Sequence, residues 1–286
     1  MYNDDREKRV RIFEDTMRLC KEDEGLSEAV RASIKGTKFY GENDRPERKN
    51  AEDERKTEVS VTSERTLEAA KRLTKKHSGK RIAVLNFASA TNPGGGVTRG
   101  SSAQEEALCR CSTLYPCLKT DELWKDYYSM HRAKNSVLYT DACIYTPNVI
   151  AVKSDTAFPQ TVPEGDRFAV DVITCAAPNL REKPYNSMNP GHGEAVRVTA
   201  SQLLDIHKKR GSHILDIAAA NGADVVVLGA FGCGAFRNDP NVVARAYKEI
   251  LPEYKNVFDE IVFAVYCSPK DTGNFDTFRR VLVNIF

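Results

Sequence analysis

The 286-residue chain has little of several things that would place it in a large protein class. It holds one tryptophan and five histidines. No apolar run approaches the roughly eighteen residues that a helical membrane span needs, which excludes a membrane partner of that kind. Forty-two Lys plus Arg face 40 Asp plus Glu, a net charge of +2. That balance excludes a broadly electropositive surface as the means of holding nucleic acid, so no sequence-specific nucleic-acid binding is expected. Any anionic ligand must be met by a local site. The opening MYNDDREKRVRIFEDT is charged from its fourth residue and lacks the apolar stretch of a secretory signal. An intracellular, cytoplasmic location is therefore expected. Eight cysteines are scattered along the chain, several inside apolar segments such as VDVITCAAP and FAVYC, and they read as buried free thiols. Cys109, Cys111 and Cys117 form C-x-C-x5-C, but no second pair and no His stands at zinc-like spacing. No metal and no cofactor are expected.

Charge divides the chain unevenly: 38 of the 82 charged residues lie in residues 1–80. Val10, Phe13, Met17 and Cys20 recur at helical spacing and Leu26 to Ile34 reads as a second helix. GENDRPERKNAEDERK reads as a solvated loop, and a helix is expected from Thr62 through Leu73. Residues 1–78 thus form a helical extension packed on a core spanning 79–286, a single domain overall. Past Lys80, RIAVLNFA, SVLYTDACIYTP, FAVDVITCAAP, DVVVLGAF and EIVFAVYC read as buried strands. They alternate with helices over Gln104–Leu118, Glu194–Asn221, Asn241–Leu251 and Thr277–Ile285, with Gly211 a point of interruption in the longest. That alternation predicts an α/β fold with a sheet covered on both faces.

Two glycine-rich turns follow two of these strands, where open α/β sheets bind ligands. After RIAVLNFA, three glycines precede a helix that opens on Gln104, Glu105 and Glu106. Exposed backbone N–H groups and a helix start suit a diphosphate or sugar phosphate; a plain connector is the bland alternative. The second turn, LGAFGCGAFRND, departs from G-x-G-x-x-G and lacks the Lys-Ser/Thr pair of an ATP-hydrolysing loop. Its amides suit phosphates and Phe236 suits a ribose face, while packing alone remains open. His192, in NPGHGE, and the basic run KRLTKKHSGKR read as surface features rather than as a base and a polyanion contact.

The motif Gly94-Gly95-Gly96 followed after seven residues by Gln104-Glu105-Glu106 resembles the signature of poly(ADP-ribose) glycohydrolases. FEDTMRLC, VLNFASATNPGGG and ITCAAPNL resemble the bacterial-type branch. The resemblance implies a three-layer α/β/α macrodomain with a mixed central sheet, acting on poly(ADP-ribose) or ADP-ribosylated proteins. Cleavage from the free end with ADP-ribose as product, and a monomer, are expected. By the same resemblance Glu106 is the catalytic acid and Glu105 positions the scissile ribose. Gly94, Gly95, Gly96 and Val97 form the catalytic loop, with Gln104 also at the substrate. Asn92 lies near the distal ribose, and Gly232, Cys233, Gly234, Ala235 and Phe236 hold the diphosphate and cover that ribose. Tyr266 stacks on adenine, or is an ordinary strand-end residue.

The residues constrain the mechanism independently. Breaking a ribosyl bond through an oxocarbenium-like state requires an acid to protonate the leaving oxygen. Adjacent helical side chains point about 100° apart, so Glu105 and Glu106 do not flank one sugar as paired carboxylates about 5–9 Å apart do. One residue, Glu106, is then expected to protonate the leaving oxygen and later deprotonate water, with Glu105 on ribose hydroxyls. Two other readings stay open: removal of a single ADP-ribose from a protein or nucleic-acid acceptor, and a macrodomain that binds ADP-ribose without cutting it.

Overall fold

Short runs of β-branched and aromatic residues build the centre of the molecule. The computed structural model describes residues 2–48, 55–185, 188–191, 193–268, 270–283 and 285; His192 lies outside them. In chain order the elements are α1 (Tyr2–Glu22), α2 (Glu24–Gly36), β1 (Lys38–Tyr40), β2 (Glu58–Thr62), α3 (Thr66–Lys76), β3 (Ile82–Phe87), α4 (Gln104–Cys111), α5 (Leu114–Leu118), α6 (Asp121–Leu123), α7 (Met130–Lys134), β4 (Cys143–Ala151), β5 (Phe168–Cys175), α8 (Ala200–Ala220), β6 (Val225–Leu228), α9 (Pro240–Ile250), β7 (Glu260–Ala264) and α10 (Gly273–Val281). A π-helical stretch, Trp124–Ser129, joins α6 to α7.

The strands form one sheet in the order β1-β4-β5-β3-β6-β7-β2. It is mixed: β5, β3, β6, β7 and β2 are mutually parallel, while β4 runs antiparallel to both β5 and β1. Side chains alternate between the faces along β3, β5, β6 and β7, and a bulge between Thr146 and Val149 shifts the register of β4. Leu85, Ile173, Val226 and Phe263 pack under α8, α9 and α10, whereas Val84, Val172, Val227 and Val262 pack with α3, α4 and Phe13 of α1. Both faces are buried, so the strands read as continuous apolar runs, and the architecture is the α/β/α sandwich expected.

Several boundaries differ from the sequence reading. The first 78 residues, expected as a helical layer, also supply β1 and β2, which occupy the two edges of the sheet. Thr62 closes β2 rather than opening a helix, and α3 begins at Thr66. The helix expected over Gln104–Leu118 breaks at Ser112, whose backbone is extended (φ −146°, ψ 175°) and bridges to Ala151. Thr113 Oγ1 then accepts the Ile150 N–H at 2.9 Å, so β4 claims the residues at the break. The strand read from Ser136 starts at Cys143, because Tyr139 stands in the left-handed region (φ 55°). The longest helix starts at Ala200, where Thr199 and Gln202 make a reciprocal capping box. It runs through Gly211 without a break, since the missing side chain lets α8 press against Ile250 and Tyr247. The last helix, Gly273–Val281, begins earlier than Thr277. No described helix is long and apolar enough to cross a membrane.

Candidate active site

β3 and β6 are parallel neighbours, so the two glycine turns leave the same end of the sheet side by side. Phe87 at the end of β3 lies 5.6 Å from Phe231 in the second turn, ring to ring. This is the carboxyl edge at which parallel sheets present ligand sites.

The first turn is organised around two buried carboxylates. Glu106 is 7% exposed, and its Oε1 accepts the Gly96 N–H at 2.8 Å. Its Oε2 is buried with no hydrogen-bond partner among the described residues. Glu105 is 3% exposed; its Oε2 accepts the Ser89 N–H at 2.7 Å and its Oε1 the Asn86 amide at 3.4 Å. Burial first, and the Glu106 carboxylate second, push the Glu105 carboxyl well above the usual range, against the pull of donors at Ser89, Asn86 and Gly94. Gly95 has φ +57°, and a methyl there would lie 2.6 Å from Glu106 Oε1 and 2.9 Å from Glu105 Oε2. Only glycine lets the backbone pass this close, and both carboxylates lie on one side of the loop. Ala103, the residue before α4, supplies no capping side-chain bond, so the first-turn amides are not masked in that way.

The loop is braced from outside. Arg9 of α1 donates from Nε to Gly100 O at 2.7 Å, and the buried Arg110 donates to Ser101 O at 2.5 Å. Arg132 donates to Thr91 O at 2.9 Å and to Asn92 Oδ1 at 2.7 Å, which fixes the side chain expected near the distal ribose.

The second turn has a single carboxylate, Asp239 at its end, which caps α9 by accepting the Asn241 N–H at 2.8 Å. Gly232 has φ +81°, and a methyl there would meet Ala177 Cβ at 2.7 Å and Asn238 Cγ at 2.9 Å. Buried Asn238 donates to Pro178 O, Gly232 O and Phe236 O, and its Oδ1 meets His207 Nε2 at 2.8 Å. Gly234 and Ala235 are exposed, and no described acceptor takes the N–H groups of Gly234, Ala235 or Phe236. Half-buried Phe236 packs near Tyr139, with the Arg181 guanidinium 5.8 Å from its ring centre. Tyr139, in ring contact with Phe236, and Arg237, the next residue in the chain, both hold positive φ.

Not every expected residue offers its side chain to this cleft. Gln104 spends its amide on β3 and α3, accepting from Phe87 N–H at 2.9 Å and donating to Leu85 O at 2.8 Å and Thr66 Oγ1 at 3.0 Å. Val97 points into the core, and half-buried Cys233 packs against it on the other face. Tyr266 is 53% exposed at the end of β7 with the Arg65 guanidinium 3.8 Å over its ring. Cys109, Cys111 and Cys117 are buried, and desolvation raises all three thiols. Among the described residues no group of three or more His, Cys, Asp or Glu could hold a metal ion. In the basic run, Lys76 and His77 bond Glu260, and Lys80 pairs with Asp224 and Asp259. Sequence reasoning missed Asn86, Ser89, Arg110, Arg132 and the His207–Asn238 pair. The signal for Asn86 was a lone amide inside the apolar run VLNF; Ser89 and Arg110 lie within 16 and 9 residues of their partners, while Arg132 and the His207–Asn238 pair are joined across 41 and 31 residues.

The chain matches the family model of the microbial-type PARG catalytic domain over residues 7–154. Among solved structures, it is similar to poly(ADP-ribose) glycohydrolase from Thermomonospora curvata, 29% identical with a TM-score of 0.81, over 96% of this chain and 99% of that one. The same protein bound to the inhibitor ADP-HPD is 28% identical, with a TM-score of 0.76 over 95% and 98%. Poly(ADP-ribose) glycohydrolase from Deinococcus radiodurans in complex with ADP-ribose is 36% identical, with a TM-score of 0.73 over 88% and 96%. No curated protein matches the chain. The sheet and its helical layers are thus those of a macrodomain-like fold. With the family model covering over half of its residues and the structural likeness nearly all of them, the chain belongs to the microbial-type poly(ADP-ribose) glycohydrolase family.

Proposed function

We propose that this protein hydrolyses the ribose–ribose O-glycosidic bonds of poly(ADP-ribose) and releases ADP-ribose, with Glu106 as its general acid and base. Family membership supports the reaction. The observation that carries the role of Glu106 is its divided carboxyl group: Oε1 is anchored on the Gly96 N–H while Oε2 is buried and unpartnered. A buried carboxylate oxygen without a protein partner costs free energy, and a ligand group at this loop would offset that cost.

The leaving ribose oxygen needs a proton as its bond to the anomeric carbon breaks, and Glu106 Oε2 supplies it. The resulting oxocarbenium-like cation lies near two carboxyl groups and the ligand's own diphosphate. Water then attacks, and the Glu106 carboxylate takes its proton, which restores the acid. Glu105, held by Ser89 and Asn86, hydrogen-bonds the ribose hydroxyls. The N–H groups of Gly234, Ala235 and Phe236 receive the diphosphate, and the Phe236 ring covers the ribose beyond it.

The test is release of ADP-ribose from purified poly(ADP-ribose) by the native chain and by Glu106→Gln, with circular dichroism confirming that both fold. Glutamine keeps an oxygen for Gly96 but has no acidic proton, so turnover should fall by about 10²–10⁴-fold with ADP-ribose affinity little changed. No release by either chain, despite ADP-ribose binding, would overturn the reading in favour of a binding module or a hydrolase of single ADP-ribose units.

A further inference from the structure

The chain's single tryptophan is not part of the machinery above, yet it stands against it. Trp124 is 42% exposed, an unusual place for an indole. It sits at the start of the π-helical Trp124–Ser129, a geometry often kept at functional sites. Two neighbours hold its ring. The buried Tyr128 stacks on it with centroids 6.1 Å apart and planes 28° apart, and the Arg132 guanidinium lies 5.1 Å from its centre. Arg132 is the same side chain that donates to Thr91 O and Asn92 Oδ1. The exposed indole is therefore one side chain removed from the glycine loop, on the side of Asn92.

From this geometry we infer that Trp124 and Arg132 form a platform for the nucleobase of the ADP-ribose unit next to the one being released. The inference rests on the proposed hydrolysis of a polymer. In that reaction the leaving group is itself an ADP-ribose unit, carrying an adenine, two riboses and two phosphates, and it must lie against the protein outside the pocket that holds the released unit. An exposed indole flanked by a guanidinium is a surface that stacks a neutral base and meets an adjacent phosphate.

The platform predicts a split between polymer and monomer. Trp124→Ala should raise KM for poly(ADP-ribose) about tenfold, the loss of one base stack. It should leave kcat and the calorimetric affinity for free ADP-ribose unchanged, and Trp124→Phe should restore most of the KM. Because the chain has no other tryptophan, fluorescence excited selectively at the indole, apart from its tyrosines, reports on this ring alone. Polymer bound to Glu106→Gln should quench it, and saturating ADP-ribose should not. An unchanged KM in Trp124→Ala would overturn the platform. So would a parallel loss of ADP-ribose affinity, which would make Trp124 a prop for Arg132. If the native chain released nothing while polymer still quenched Trp124, the platform would stand and the hydrolase reading would fall; with neither signal, both fall.

Discussion

The two glycine turns leave neighbouring parallel strands, and their surroundings differ in kind. Around Gly95 the supports are charged: Glu105 and Glu106 pack beneath the backbone, and Arg9, Arg110 and Arg132 grip the loop from α1, α4 and α7. Around Gly232 the supports are neutral, with Asn238 and His207 bonding carbonyls and each other. The contrast teaches how one sheet edge divides its labour. A reaction that develops positive charge on a sugar needs fixed negative groups and tight geometry, whereas a diphosphate needs free N–H groups, and the one acid of the second turn, Asp239, is taken up in capping α9.

Three sets of measurements would break or sharpen that comparison. The largest effect in this set should come from Gly95→Ala. Its methyl cannot fit without moving both carboxylates, so kcat should fall roughly 10²-fold with KM changed little, the usual result of about 1 Å of misplacement. Gly232→Ala should do the reverse, weakening ADP-ribose binding about tenfold in calorimetry, because the strain falls on the loop proposed to hold the diphosphate. If both variants lost kcat alike, the division of labour would be wrong.

Acid should damage the neutral side. Burial pushes His207 down to about 4 from 6.5, and His131, which bonds Thr140 and Tyr127, also to about 4. Both are neutral in the fold, whereas the unfolded chain binds their protons from about pH 6.5 downward. Their contribution is therefore complete above that pH and is lost as pH falls toward 4, by up to about 3 kcal/mol each. Urea melts between pH 7 and 4.5 should show that loss, and His207→Gln should flatten it.

The smallest effect is on the charged side. The Glu105 carboxyl is raised in the fold, so its contribution is complete at low pH and is lost as pH rises. Glu105→Gln should lower activity while raising Tm at pH 7, because burial and the Glu106 carboxylate already disfavour the charge it removes. The gain should vanish in acid. A variant that melted lower at pH 7 would show Glu105 to be a support of the loop rather than a stored charge.

Much of this was legible in the amino-acid order because it is local. Continuous runs of β-branched and other apolar residues mark the strands whatever surrounds them, and three glycines ahead of Gln-Glu-Glu suit a close backbone passage over acids at a helix start. Other features depend on partners distant in the chain. Lys38–Tyr40 and Glu58–Thr62 lie in the charge-rich N-terminal part and become strands only because β4 and β7 offer unpaired edges. Gln104 looks like a ligand contact until β3 takes its amide, and Ser112 ends a helix only because β4 takes the next residue. The sequence by itself determined the fold class and the pair of acids, since periodicity and residue chemistry are carried by neighbours in the chain. Tertiary structure alone decided which Glu106 oxygen stays unpartnered, which arginines clamp the loop and where Trp124 faces. Burial and hydrogen bonding there join residues up to 91 positions apart, as between Arg9 and Gly100, and no local pattern records them.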